Sequence, residues 1–233
     1  MERDAQAALA KGAEGFGIRL TPRELDLFRL YLDELLEWNR HIRLTGVRSR
    51  EGISIELLLD SLIPSPFLPG SGRLLDVGSG AGFPGIPLKI RFPGLDTTLL
   101  EAHSKKGSFL KQVIRRLGLT GIRVIRGRIE GKGALLRLEG YDLVTVRALA
   151  GLSRSVTWCA PHVRPEGLLV CFLGSKGREV LRESRGVIRD AGLEVERVIP
   201  YVLPGREAAR CGVVFRKRPE GTKKAREEAP GLV

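Results

Sequence analysis

A chain of 233 residues, 42% hydrophobic and 28% charged, is long enough to bury the core of one α/β domain with an appendage. Its 39 Lys and Arg against 27 Asp and Glu leave a formal charge of +12, which favours a polyanion such as structured RNA; no basic amphipathic helix with exposed aromatics points to a membrane surface instead. Cys159, Cys171 and Cys211 are never spaced Cys-x-x-Cys, and no apolar run approaches a membrane span or signal core, so the expected setting is a reducing cytoplasm with no metal site.

Residues 1–17 are rich in Ala and Gly with little periodicity and are expected to form a flexible lead-in. Thr21, Pro22 and Glu24 then spell a helix start: a hydroxyl to accept an unpaired N–H, a ring that pre-sets the first φ, and a carboxylate that reaches back to the cap. Leu25, Phe28, Leu32, Leu35, Leu36 and Asn39 keep helical spacing to about Arg40. Ser49 is the expected cap of a second helix through Ile53 to Leu62, stopped by Pro64 and Pro66. The two helices make a cap over residues 18–70.

From Arg73 onward, strand-like runs at 74–77, 97–101, 123–126, 143–146 and 168–173 alternate with helical or irregular segments at 88–91, 105–117, 134–138 and 154–160. That rhythm predicts a mainly parallel sheet with helices on both faces. A helix over 178–191 and an antiparallel pair at 195–202 and 212–216 complete a single domain over 18–216. Residues 217–233 are charged with almost no apolar content, and disorder is expected there.

The first of these strands feeds Asp76-Val77-Gly78-Ser79-Gly80-Ala81-Gly82-Phe83-Pro84-Gly85, a tight glycine turn opening a helix whose free N–H groups face any ligand on the turn. Gly80-x-Gly82-x-x-Gly85 matches a dinucleotide fingerprint, but Asp76 and Gly78 already occupy the strand end, where an acid would repel a pyrophosphate. The order Asp76-x-Gly78-x-Gly80-x-Gly82 instead resembles the first motif of class I S-adenosylmethionine-dependent methyltransferases, whose ligand carries a cationic sulfonium and amine. Glu101 ends the second strand, where a carboxylate can accept from both ribose hydroxyls; this supports a nucleoside without choosing between the two cofactors. After the third strand, Ile129 can cover an adenine ring and Glu130 can meet its amino group. Arg147 ends the fourth strand at the edge where ligands meet open parallel sheets, within reach of the cofactor's surroundings or an RNA phosphate.

Together with Trp38-Asn39, Leu44-Thr45-Gly46-Val47-Arg48, Leu59-Asp60-Ser61, the Phe83-Pro84-Gly85-Ile86-Pro87-Leu88 continuation, Lys106, Phe109-Leu110, Arg147-Ala148, Trp158 and Lys176-Gly177, the turn identifies a family. Over roughly residues 18–216 the chain resembles the glucose-inhibited division protein B (RsmG) family, bacterial 16S rRNA guanine N-7 methyltransferases. The resemblance implies a class I, Rossmann-like fold with a seven-stranded sheet and an N-terminal helical cap, S-adenosylmethionine as cofactor, and 16S rRNA or the small ribosomal subunit as partner of a monomer. It carries cofactor contacts to Gly78, Phe83, Ile129, Glu130 and Arg147, beside Asp76, Gly80, Gly82 and Glu101 from the turn and strand end. Arg43, Arg48 and Lys176 are candidate RNA contacts. Departures from the family pattern stand at Arg43, Leu57, Val146 and Gly174-Ser175.

Guanine N-7 offers a lone pair and no proton, so methylation there needs alignment and no general base. That agrees with scattered His41, His103 and His162, none beside a nucleophile, and with no assigned catalytic residue. Two rivals remain at this point: a non-catalytic RNA-binding or assembly factor that keeps the fold, and a nicotinamide-dependent oxidoreductase.

Overall fold

The computed structural model describes residues 2–130, 140–147 and 150–219. The expected helix at 134–138, Ala148, and residues 220–233 of the charged tail lie outside them. Among the described residues, no helix is long and apolar enough to cross a membrane.

The N-terminal segment is not a loose lead-in. Glu2–Glu14 forms helix α1, and Ala5, Leu9 and Ala13, one turn apart along one face, are buried. Helix α2, Pro22–Asn39, begins at the expected capping box: Thr21 Oγ1 accepts from the Glu24 N–H at 3.2 Å, and Glu24 Oε2 accepts from the Thr21 N–H at 2.7 Å. Ser49 caps α3, Arg50–Ile53, which continues through a π-helical stretch, Ser54–Leu59, into α4, Asp60–Leu62.

The strands are β1 Ser71–Val77, β2 Gly94–Glu101, β3 Ile122–Arg126, β4 Tyr141–Arg147, β5 Val163–Leu173, β6 Leu193–Val202 and β7 Ala209–Lys217. They form one seven-stranded sheet in the order β3-β2-β1-β4-β5-β7-β6, parallel from β3 to β5 and antiparallel at β7 and β6. The intervening helices are α5 Gly85–Arg91, α6 Ser104–Arg116 and α7 Leu152–Cys159. The helix expected over 178–191 is two, α8 Gly177–Glu183 and α9 Arg185–Asp190, broken at Ser184, whose side chain lies 3.0 Å from Ser153 Oγ. The final strand runs to Lys217, whose Nζ donates to Ala191 O at 2.6 Å, so the ordered chain reaches past 216.

Alternation along the strands separates the two faces. Leu99 joins α1, α2, α5 and α6 in one apolar cluster, while its neighbour Leu100 joins Leu75 and Val77 against α7 and α9 in another. Val146, one of the departures, is 2% exposed inside the second cluster, where an apolar branched side chain suits the site. Because β1 sits between β2 and β4, the chain leaves it in opposite directions, and a crevice opens at its carboxyl end.

Candidate functional site

That crevice holds a cavity of about 270 Å³ walled by Val77, Gly78 and Gly80 at the end of β1, by residues 100–103 at the end of β2, by residues 127–130 after β3, and by Lys106 of α6. Gly78, Gly80 and Gly82 have φ of 70°, 58° and 97°, a left-handed run that side chains resist. The glycines differ in what else they do. A Cβ at Gly82 would lie 2.7 Å from the Tyr31 hydroxyl, and one at Gly85 would lie 2.7 Å from Asp76 Oδ2.

Glu101 is the acceptor at the floor of the cavity, 4% exposed. Its Oε2 accepts from the Gly80 N–H at 2.8 Å, and Oε1 accepts from the His103 N–H at 2.7 Å and lies 2.9 Å from His103 Nδ1. Burial would raise the carboxyl's pKa, but the His103 and Gly80 hydrogen bonds and nearby Lys106 outweigh it and hold the group below the usual range. It is an anion built to accept. An ionised carboxylate has about four acceptor positions. Among the described residues, one on Oε2 remains open, and another is covered only by the exposed imidazole of His103. Two neighbouring hydroxyls need two such positions.

Of the nine cofactor candidates, Gly78, Gly80, Glu101, Ile129 and Glu130 line this cavity. Asp76, Gly82, Phe83 and Arg147 do not. Asp76 is fully buried beneath the turn, with Oδ1 accepting from Thr145 Oγ1 at 2.8 Å and Oδ2 from the Gly85 N–H at 3.3 Å; burial pushes its carboxyl up to about 6. Its carboxylate therefore shapes the turn from below, because the strand's alternation directs it away from the cavity. Phe83, followed by a cis Pro84, packs on the ring of Tyr31 at 5.3 Å, and the Tyr31 hydroxyl donates to Ala81 O, so α2 clamps the turn from outside.

Arg147 turns toward the cap. Its Nη2 donates to Glu56 O at 2.7 Å and lies 3.1 Å from Asp60 Oδ2, while Nη1 is buried with no partner among the described residues. Asp60 Oδ1 also accepts from Arg210 Nη1 and from Tyr201 Oη, both at 2.9 Å. The π-helical stretch places the Glu56 carbonyl and Asp60 side by side for this purpose. Of the substrate candidates, Arg43 and Arg48 sit exposed on the loop between α2 and α3, and Lys176 is exposed beyond β5. Sequence reasoning missed His103 as a wall of the cavity. Its position two residues after Glu101, in the turn entering α6, was the available signal.

The family profile for rRNA small subunit methyltransferase G (GidB) matches residues 24–204. Curated relatives carrying the name ribosomal RNA small subunit methyltransferase G include one from Acetivibrio thermocellus, 37% identical over 90% of this chain and 87% of its own. One from Geobacter sp. strain M21 is 37% identical over 92% of this chain and 99% of its own. Among solved structures, a methyltransferase from Pyrococcus furiosus superimposes with a TM-score of 0.59 at 16% identity, covering 81% of this chain and 96% of that one, which shows a shared fold. With the matched region spanning the glycine turn and six of the seven strands, the chain belongs to the rRNA small subunit methyltransferase G (GidB) family.

Proposed function

We propose that the chain transfers a methyl group from S-adenosylmethionine to N-7 of a guanine in 16S rRNA, acting as a monomer on the RNA or small subunit in the bacterial cytoplasm. The observation that carries this reading is the glycine-walled cavity at the switch point of the sheet, with an anionic Glu101 at its floor. The residues fit the cofactor: bare backbone at Gly78 and Gly80 allows close approach, Glu101 has acceptor positions for ribose hydroxyls, and Ile129 gives an apolar wall for adenine beside Glu130. When bound, S-adenosylmethionine supplies an electrophilic methyl on a sulfonium.

The protein's own task is placement. The Tyr31 clamp and the buried Asp76 hold the turn in one shape, so the cavity is formed before a ligand arrives. Arg147, anchored by Asp60 outside the cavity, ties the end of β4 to the cap. Arg43, Arg48 and Lys176 meet the RNA. Holding nucleophile and methyl in line can lower the barrier by up to roughly 7 to 11 kcal/mol, and because N-7 carries no proton, no proton-transfer residue is needed.

The test is transfer of labelled methyl to small subunits lacking the modification and to naked 16S rRNA, with the modified base mapped. Absence of transfer to both overturns the reading and leaves a non-catalytic factor. Gly78→Arg, which puts a long side chain on a left-handed residue in the cavity wall, is expected to abolish S-adenosylhomocysteine binding by calorimetry while the protein stays folded.

A further inference from the structure

The loop between α2 and α3 is held in one shape by its own residues. Asn39 Oδ1 accepts from the Leu44 N–H at 2.8 Å and the Thr45 N–H at 3.0 Å, and Asn39 Nδ2 donates to Thr45 O at 3.2 Å. Leu44 is buried, and Trp38 meets Phe109 of α6 edge-on, ring centroids 5.7 Å apart. These contacts fix the loop beside α6. Between them opens a second cavity of about 440 Å³. Ile42 and Arg43 form one wall, the turn from Ala102 to Lys106 the other, and Arg126 closes it at the end of β3. Ala102, His103 and Lys106 line both this cleft and the cavity of Glu101.

Four cations converge on the cleft: Arg43, Lys105, Lys106 and Arg126. Lys106 acts on Glu101, but the side chains of Arg43, Lys105 and Arg126 meet no carboxylate among the described residues. Their neighbours do. Arg40 pairs with Glu37, Arg116 with Glu34, Arg123 with Asp96 and Arg128 with Glu130. Neutralised surroundings around an unneutralised hollow mark where an anion is missing. Two like charges about 4 Å apart repel by roughly 1 kcal/mol even in water, so a concave group of cations is relieved by a polyanion.

We propose that this cleft seats the sugar–phosphate backbone of the RNA beside the target nucleotide, an inference that rests on the rRNA methyltransferase reading. Guanidinium groups at Arg43 and Arg126 grip phosphate oxygens two at a time, and Lys105 adds a point charge. The shared wall puts the held backbone next to the methyl donor. Because the Asn39 and Trp38 contacts fix the loop, little ordering is lost on binding.

Retention of 16S rRNA and of small subunits on filters, measured against salt, tests the proposal. Arg43→Ala/Lys105→Ala/Arg126→Ala, none of which lines the Glu101 cavity, is expected to lower the log–log salt slope by about 0.7 to 0.9 per lost phosphate, roughly 2 to 3 in all. Lys105→Glu alone moves the slope the same way by less. Unchanged S-adenosylhomocysteine binding in calorimetry shows that these variants are folded. Lys11→Ala/Arg19→Ala/Arg23→Ala, which removes three exposed charges from α1 and the region before and at the start of α2, keeps the wild-type slope. A wild-type slope in the cleft variant, as would follow if the cleft took an acidic peptide instead, or an equal loss in the control, overturns the proposal. Failure of the wild-type protein to methylate rRNA would instead overturn the reaction while leaving the slope comparison valid.

Discussion

Asp76 and Glu101 are both strand-end acids, yet their environments send them in opposite directions. Asp76 is fully buried with its carboxyl raised to about 6, against about 3.9 for an exposed aspartate. A carboxyl raised on folding stabilises the native state below pH 4, and that contribution is lost as pH climbs toward 6. The stability difference between wild type and Asp76→Asn, from urea titrations, is expected to move against the wild type by up to about 3 kcal/mol between pH 4 and pH 7. At Glu101, His103→Ala removes the imidazole from an acceptor position that a ribose hydroxyl needs, and S-adenosylhomocysteine is expected to bind about two- to tenfold tighter in calorimetry. Glu101 was legible because a carboxylate after an apolar strand has one natural place, the carboxyl edge. Asp76 was not, since its side chain alternates to the interior one residue before the strand ends. The glycine spacing was visible in sequence, but whether each glycine makes room for ligand, for Tyr31 or for Asp76 depends on contacts that no spacing encodes.

At the scale of elements, the sheet was readable because apolar runs and turn residues alternate with helical spacing from Arg73 onward, and all seven strands stand where those runs predict. Thr21 and Ser49 fixed their helix starts through side-chain chemistry that acts within three residues. Helix α1 escaped because, of the described residues buried on its face, only Leu9 is large and apolar, and Ala5, Gly12 and Ala13 carry little hydrophobic signal while allowing close approach. At Gly12 the approach is such that a Cβ would sit 2.8 Å from Leu59 Cδ2. Leu9, 1% exposed, is the main apolar anchor of that helix, and Leu9→Ala is expected to destabilise the protein by about 2 to 5 kcal/mol in chemical denaturation. A flexible lead-in would make the same change silent.

Across the whole molecule, the cap is tied to the sheet through Asp60. One carboxylate, 1% exposed, receives Arg147 from the end of β4, Tyr201 from β6 and Arg210 from β7. Glu56 holds Arg206 and Arg210 alongside. Asp60→Ala leaves cations facing each other in a half-buried space, and a loss of about 3 to 5 kcal/mol is expected in thermal or urea unfolding. Surface pairs such as Arg40 with Glu37 are expected to contribute far less.

The same carboxylate sets an order in time. Asp60 leaves the ribosome long before its partners, Tyr201 following 141 residues later and Arg210 150 residues later. At about 5 to 20 residues per second, that interval is roughly 8 to 30 s. Asp60 is therefore made well before the hairpin of β6 and β7 that locks it to the sheet.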